Sequence, residues 1–566
     1  MAGAAVLRLA NLGNRPMHCD EAVQAEKFRL LLEDGYYKYD PEEYHGPSLN
    51  YLTLPIARLA GAHRLTEVTE TQLRLLPALF GIALVGLVWP LREALGRPAA
   101  LAAALLTAVS PAMVFYSRYY IAEMLLVGFT FAAVVALWRF ERVAVVYPGA
   151  ETPAGRRFWP RAGGWLVLLG LALGMMHATK ESCVIALLAM AVAAAATMSG
   201  LRRLGGKPMA VAGLVVLLSA AGISALFFSS LLDNPRGVID SVTTYSRYLQ
   251  RAAGEGTAGP HAYPWYHYFQ RLFWWHRGGG PVWSEASIAA FALVGLAAGI
   301  WGRGPKSAHV PFVRFLGIYT VLMTAVYCAL PYKTPWCALG FLHGMILLAG
   351  VGMASLVRAC ATVCRKASSA QPSRTALLLM KQWHTAAAIA LLAAATGHLA
   401  WQAYRASFVL YEDPNNPYVY AQTTSDVPLL ARRIKQIAAV HPDGRAMHIQ
   451  VICPDDDHWP LPWYLRDFSR VDWFPGIPRH PEGTRAAPLI ITQPLMRKAV
   501  LSYVYVQQPP GQRPLRQFFQ KSEGVDWQLR PNVPLLVIVR RDLLQAYSAA
   551  EARTDKAATG GRAKGP

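Results

Sequence analysis

The sequence predicts a polytopic α-helical membrane protein of about eleven spans, the first one short, with a small outward-facing α/β domain at its C-terminal end. Three observations predict it. The 566 residues are 54% hydrophobic and only 16% charged, whereas a soluble domain carries about 25% charged residues. Apolar stretches suited to the ~30 Å hydrocarbon core recur along the chain. Lysine and arginine concentrate in every second loop.

The spans fall at 73–91, 98–115, 121–139, 163–180, 183–199, 208–231, 286–302, 312–330, 337–358 and 384–402. Ala2 to Gly13 is apolar but has no charged segment before it, so it does not read as a signal peptide. It reads as a first span that is short or clipped at its start. Between the spans, Arg92 and Arg97 share one loop, and Arg139, Arg142, Arg156, Arg157 and Arg161 another. Arg202, Arg203 and Lys207, then Arg303, Lys306 and Arg314, then Arg358, Arg365, Lys366, Arg374 and Lys381 continue the series. The short loops between these hold one cation each: Arg118, Lys180 and Lys333. The alternation places the cation-rich loops in the cytoplasm and the others outside. The net charge of +21 is therefore positive-inside bias rather than a nucleic-acid face. The stretch 48–62 is apolar but short and contains Pro55, and it is placed along the outer interface.

From about residue 403 the composition changes. Ser425–Val440 reads as a capped amphipathic helix. His448–Cys453, Leu489–Thr492 and Pro534–Val539 read as short buried strands. The organisation expected is a transmembrane domain at 1–402 with a catalytic first outer loop at 14–62, an outward α/β domain at 403–550, and a disordered polar tail at 551–566. The seven cysteines are scattered and lack the spacing of a zinc site, so neither a disulfide framework nor a structural zinc is expected.

The chain is organised around His18 to Pro47, a polar stretch crowded with carboxylates and aromatics. Glu21, Ala25, Phe28 and Leu32 share one face of a helix that Gly35 ends. Asp20 and Glu21 open that helix, where carboxylates favour the dipole. At the outer mouth of a helix bundle, a carboxylate can also act as general base on an acceptor hydroxyl. Arg118 and Glu123 lie in a tight outer loop, where ionisable groups are costly. Interfacial snorkelling accounts for Arg118 better than for Glu123. Lys180 and Glu181 form the next tight outer loop, as an ion pair or a phosphate contact. Lys333 in the Pro-Tyr-Lys-Thr-Pro-Trp of 331–336 carries the same ambiguity. Arg247 and Arg271, in an aromatic-rich outer loop, suit charge recognition, while most of the aromatics there read as an interfacial belt. Asp455-Asp456-Asp457 reads as a solvated turn.

Several of these segments resemble one membrane family. They are Arg15-Pro-Met-His-Cys-Asp-Glu-Ala (15–22), Tyr-His-Gly-Pro (44–47), Ser-Arg-Tyr-Tyr-Ile-Ala-Glu (117–123), Ala-Thr-Lys-Glu (178–181) and Tyr-Lys-Thr-Pro-Trp (332–336). Glu-Asp-Pro-Asn-Asn-Pro-Tyr-Val-Tyr (412–420) and Trp-Pro-Leu-Pro-Trp-Tyr-Leu-Arg (459–466) belong to the same set. The chain is similar to the flippase activity-associated family of bacteria and archaea, a branch of the protein mannosyltransferase/ArnT-like GT-C membrane glycosyltransferases. The first span departs from the pattern, being much shorter than is usual there. The resemblance implies an inverting glycosyltransferase of the inner (cytoplasmic) membrane. It would move a hexose or pentose from a polyprenyl-phosphate donor to a glycan, lipid or protein acceptor on the outer face.

In that group the acidic pair of the first outer loop is catalytic, which here falls on Asp20 and Glu21. Arg118 and Glu123 match the second-loop motif. Lys180 and Lys333 match lipid-phosphate contacts, and His45, Glu181 and Arg247 complete the substrate-binding candidates. No metal ligand set is assigned; a divalent cation, Mg²⁺ or Mn²⁺, at Asp20 and Glu21 is held open. The alternative function is a flippase, or flippase accessory, for lipid-linked sugars. That reading expects ionisable groups deep in the spans and an internal repeat, and the sequence displays neither.

Overall fold

The computed structural model describes residues 1–43, 45–146, 158–253, 261–302, 304–305, 308–367, 374–478, 485–508 and 527–562. It divides into two compact units. The first holds residues 1–12, 30–62 and 69–420. The second holds 13–29, 63–68 and 421–566. The acidic pair Asp20–Glu21 is thus part of the C-terminal unit, whereas the sequence predicts a single boundary near residue 403.

The first unit is helical. In order it contains α1 (Ala2–Leu9), the end of α2 (Cys19–Asp34), α3 (Ser48–Leu59), α4 (Glu70–Leu87), α5 (Arg97–Val109), α6 (Glu123–Val146), α7 (Phe158–His177) and α8 (Cys183–Thr197). There follow α9 (Gly206–Phe228), α10 (Arg236–Ala253), α11 (His267–Phe273), α12 (Ala286–Ile300), α13 (Val310–Ala329), α14 (Leu339–Ala367) and α15 (Arg374–Tyr404). Among the described residues, six helical stretches are long and apolar enough to cross a bilayer, and three shorter apolar helices, α5, α8 and α12, accompany them. The stretches read as spans overlap helices, but 98–115 is broken at Ser110 into Arg97–Val109 and Pro111–Tyr116, and the short first span contains only the eight-residue α1. The chain is a polytopic membrane protein.

Lipid offers no hydrophobic drive for helix association, so close approach at small residues holds such bundles together. Gly352 on α14 shows this. A Cβ there would lie 1.9 Å from the Phe291 carbonyl oxygen of α12, and one at Gly295 would lie 2.0 Å from that of Leu348. Gly170 and Gly174 on α7 meet the backbone of α9 in the same way, at the carbonyls of Val216 and Ala220. The apolar core runs through α5, α6, α8 and α12–α14, with Trp138 and Phe315 among its fully buried rings.

The second unit is a small α/β fold. Its sheet has strands β1 (Ile449–Ile452), β2 (Val471–Phe474), β3 (Leu489–Thr492), β4 (Trp527–Arg530) and β5 (Val533–Val539), in the order β2-β1-β3-β5-β4. β1 pairs in parallel with β2 and β3; β3–β5 and β4–β5 are antiparallel. The amphipathic helix α16 (Asp426–Ala439) buries Val427, Leu430, Ile434 and Ile437. The C-terminal helix α17 runs Arg541–Arg562. The stretch expected to be disordered from 551 therefore continues a helix to Arg562, because its Ala-rich sequence keeps helical propensity across the polar residues.

The segments 13–29 and 63–68 are tied into this unit by specific bonds. The Met17 amide donates to Tyr464 Oη at 2.8 Å, and Gln422 Nε2 donates to the Pro16 carbonyl at 3.4 Å. Arg466 donates to the carbonyls of Leu65 and Val68.

Candidate functional site

The site candidates fall into two groups, one in each unit. In the C-terminal unit, Asp20 and Glu21 occupy the first turn of α2. Glu21, Ala25, Phe28 and Leu32 all have no exposed surface, so the face read from their spacing is the buried one. Burial of a carboxylate needs a partner, and Arg15 supplies it: Nη2 lies 3.0 Å from Glu21 Oε1. Glu21 Oε2 accepts the His18 amide at 2.9 Å. Both oxygens of Glu21 thus hold the turn that presents Asp20.

Asp20 is partly exposed. Its amide donates to His18 Nδ1 at 3.1 Å, and the Cys19 thiol lies 3.6 Å from its Oδ1. Burial, and then the Asp20 charge, push the Cys19 thiol far up, while Arg530 acts in the opposite sense. This keeps the thiol protonated at neutral pH.

A hard divalent cation shared by Asp20 and Glu21 does not fit this geometry, because Mg²⁺ and Mn²⁺ need free carboxylate oxygens and those of Glu21 are engaged. The donors that converge are instead a nitrogen of His18, the Cys19 sulfur and an Asp20 oxygen, all within 4.8 Å of one another. That mixed set suits a borderline-soft ion better than Mg²⁺.

In the helical unit, the loop candidates pair with one another. Glu123, at the start of α6, and Lys180 form an ion pair in which both residues are only 6% exposed. His45 Nδ1 lies 3.4 Å from Glu181 Oε2. The backbone explains why these loops meet. His45 bridges to Lys180 in antiparallel fashion, and the Ser48 amide donates to the Ala178 carbonyl at 2.9 Å. A side chain at Gly46 would place its Cβ 2.2 Å from that same carbonyl oxygen, so only glycine permits the approach. The Tyr44 of this motif lies outside the described residues.

Arg118 turns elsewhere. Its guanidinium donates to the carbonyls of Leu7, Arg8, Ala10 and Asn11 at the end of α1, and stacks 4.4 Å over Phe408. A helix C-terminus leaves such carbonyls without partners, and a cation there also favours the dipole. Arg118 is therefore the cap of α1. Arg247 lies on α10, with its side chain outside the described residues.

Lys333 is 1% exposed and donates to the carbonyls of Tyr263 and Leu330. Beside it is a group that the sequence reading caught only through Arg271. His267 stacks on Tyr263 at 4.0 Å, and Arg271 and Arg277 lie 4.9 and 4.6 Å over the Trp275 ring. His267 Nε2 and Arg271 Nε are buried without hydrogen-bond partners among the described residues. Burial, reinforced by Arg271, Lys333 and Arg277, lowers the His267 pKa to about 4. Burial also lowers Arg271 and Lys333. Among the described residues, no carboxylate forms an ion pair with any of these four side chains. The signal for His267 in the sequence is its i, i+4 spacing from Arg271 on a short helix between aromatic residues.

Glu285 was also not foreseen. It is fully buried and accepts from Ser110 Oγ at 2.5 Å, the Ala112 amide at 3.0 Å and Tyr418 Oη at 2.8 Å. With those partners it ties together loops distant in sequence rather than facing a ligand.

Solved structures align with this chain over nearly its whole length. ArnT from Cupriavidus metallidurans bound to undecaprenyl phosphate aligns with a TM-score of 0.58 at 16% identity, over 96% of this chain and 97% of that one. The fold is that of the GT-C glycosyltransferases. The archaeal oligosaccharyltransferase AglB from Archaeoglobus fulgidus, in complex with an inhibitory peptide and a dolichol-phosphate, aligns with a TM-score of 0.55 at 12% identity. That alignment covers 96% of this chain and 76% of AglB. Residues 50–221 match the family model described as dolichyl-phosphate-mannose-protein mannosyltransferase. No curated protein sequence matches. At these identities the shared feature is the GT-C fold, and residue roles rest on the geometry above.

Proposed function

We propose that this chain is an inverting glycosyltransferase that moves a sugar from a polyprenyl-phosphate donor to an acceptor on the outer face of the membrane. The observation that carries the reading is the cation group of buried Lys333, half-buried Arg271 and exposed Arg277 near a neutral His267, none of which has an acidic ion-pair partner among the described residues. Gathering like charges, with Lys333 buried, is costly unless an anion joins them, and a phosphate supplies that anion with the geometry arginine prefers. Two GT-C relatives were solved with polyprenyl phosphates, undecaprenyl in one and dolichol in the other.

An apolar groove of about 770 Å³ supports a lipid donor. It is lined by Leu166, Leu169 and Leu173 of α7 and Val216, Leu217 and Ala220 of α9, among others, and by His177, three residues before Lys180. Such a surface is suited to an isoprenoid tail.

The chemistry follows from these parts. The acceptor's hydroxyl or amine attacks the anomeric carbon as the bond to the phosphate oxygen breaks, and the sugar inverts. Asp20, held by the Arg15–Glu21 pair beneath it, orients the acceptor and takes its proton. The phosphate leaves with the electron pair, and Lys333 and Arg271 of the helical unit are the cations suited to its developing charge.

The test is transfer of radiolabelled sugar from a panel of polyprenyl-phosphate sugars to extracted cell-envelope acceptors, for wild type and Asp20→Asn. Labelling by wild type that the variant loses supports the enzyme and identifies the donor and acceptor class. Scrambling of lipid-linked sugar in liposomes without any transfer would replace this reading with the flippase one.

A further inference from the structure

The C-terminal unit carries a second set of converging side chains, at the carboxyl end of its parallel strands. β1 is flanked by β2 on one side and β3 on the other, so the connections leaving β1 and β3 diverge. In open α/β sheets ligands occupy the crevice at such a switch point. Here Asp457, in the loop after β1, accepts from Gln493 Nε2, just after β3, at 3.3 Å. Asp457 also pairs with Arg530 at the end of β4, and Arg530 donates to the Trp459 carbonyl at 3.3 Å.

An aromatic face adjoins these polar groups. The His458 ring lies 5.7 Å from Trp459 and 4.8 Å from Trp473, tilted by 28° and 34°. Both tryptophans are only half-buried. Asp455, in the same loop, is exposed and holds a left-handed backbone at φ 54°. That conformation is costly for a residue other than glycine and gathers at functional loops.

The loop reads Cys-Pro-Asp-Asp-Asp-His-Trp (453–459). Three consecutive carboxylates oppose a phosphate or nucleotide, and no glycine-rich turn is present to cradle one. A carboxylate, an amide and a guanidinium beside tryptophan faces suit a neutral, hydroxyl-rich ring: the polar groups take the hydroxyls and the indoles take the C–H face. Arg530 also lies within electrostatic reach of Cys19, the neighbour of Asp20, in the same unit. We propose that the cluster of Asp457, Gln493, Arg530, Trp459 and Trp473 binds a neutral saccharide of the acceptor. The assignment of this ligand to the acceptor rests on the glycosyltransferase reading; the binding itself does not.

The experiment is saturation-transfer NMR on the full chain in lipid nanodiscs, with a panel of neutral hexose, pentose and N-acetylhexosamine oligosaccharides. A nucleotide and a sugar phosphate serve as anionic probes. At least one neutral probe receives saturation from wild type. Trp473→Ala and Asp457→Asn weaken it tenfold or more, and Trp473→Phe, which keeps an aromatic face, restores most of it. The readout is binding alone, so it stands or falls separately from transfer. Absence of signal from every neutral probe, signal from the anionic probes alone, or undiminished binding by Trp473→Ala would overturn the assignment.

Discussion

Arg15 and Glu21 form a buried ion pair, 3.0 Å apart, with the guanidinium 6% exposed and the carboxylate not exposed at all. The pair divides the two adjacent acids into different roles. Glu21 is spent on holding the turn, and Asp20 is the carboxylate that remains partly accessible to a substrate.

Asp20→Asn is therefore expected to leave thermal stability close to that of wild type and to lower transfer by about 10²–10⁴, the range for loss of a general base. Glu21→Gln removes the carboxylate that pairs with the buried Arg15 charge and costs about 3–5 kcal/mol, so it lowers the midpoint of thermal unfolding. Paired melting and transfer measurements on the two variants check this. Equal stability losses would show that both acids are structural.

Arg118 serves the end of α1 through four carbonyls. A lysine ammonium cannot reach them as a planar guanidinium does. Arg118→Lys is therefore expected to destabilise the protein nearly as much as Arg118→Ala, by about 1–3 kcal/mol for the carbonyls left unsatisfied. Neither variant is expected to change the salt dependence of phosphate-lipid binding. An Arg118→Lys protein with normal stability but weakened phosphate binding would return Arg118 to the donor site.

These two arginines show what was legible in the sequence and what was not. Arg15 lies six residues from its partner, inside a motif that had already drawn attention. The carbonyls Arg118 caps lie more than a hundred residues earlier, and nothing local announces them. The membrane helices were legible because hydropathy and loop charge report burial in lipid directly. In the small sheet, the buried strands β1, β3 and β5 were read from apolar runs. The edge strands β2 and β4 were missed, because they are half-buried and carry Asp472 and Gln528. The Asp455–Asp457 turn reads as solvated, yet Asp457 is held by Arg530, a pairing across more than seventy residues. The grouping of residues 13–29 with the C-terminal unit depends on long-range bonds such as that of Met17 to Tyr464, which composition does not reveal.

Glu123 and Lys180 are expected to behave as a unit. Removing either charge takes from the other its buried ion-pair partner, so Glu123→Gln and Lys180→Met should each be costly, by about 3–5 kcal/mol. The double variant should recover part of the loss, with a coupling energy of about 0.5–3 kcal/mol. A double-mutant cycle on unfolding midpoints measures it. Simple additivity of the two losses would show that the pair does not hold these loops together.

His267 gives a pH dependence with a defined sign. Its pKa is lowered from 6.5 to about 4, by burial first and then by Arg271, Lys333 and Arg277. In the unliganded protein it is neutral at pH 7. As the pH falls from about 6.5 towards 4, the unfolded chain takes up a proton that the folded chain does not, so stability declines across that window and levels off below it. A bound phosphate reverses the local field and raises the His267 pKa, so binding takes up a proton and affinity increases as the pH falls through the same window. The measurement is binding of a phosphodiester lipid, whose own charge is constant there, to wild type and His267→Gln from pH 7 to pH 4.5. Wild type should tighten with acidity, and the variant should show a flatter profile. Parallel profiles would remove His267 from the phosphate site, and weaker wild-type binding at low pH would reverse the sign on which the argument depends.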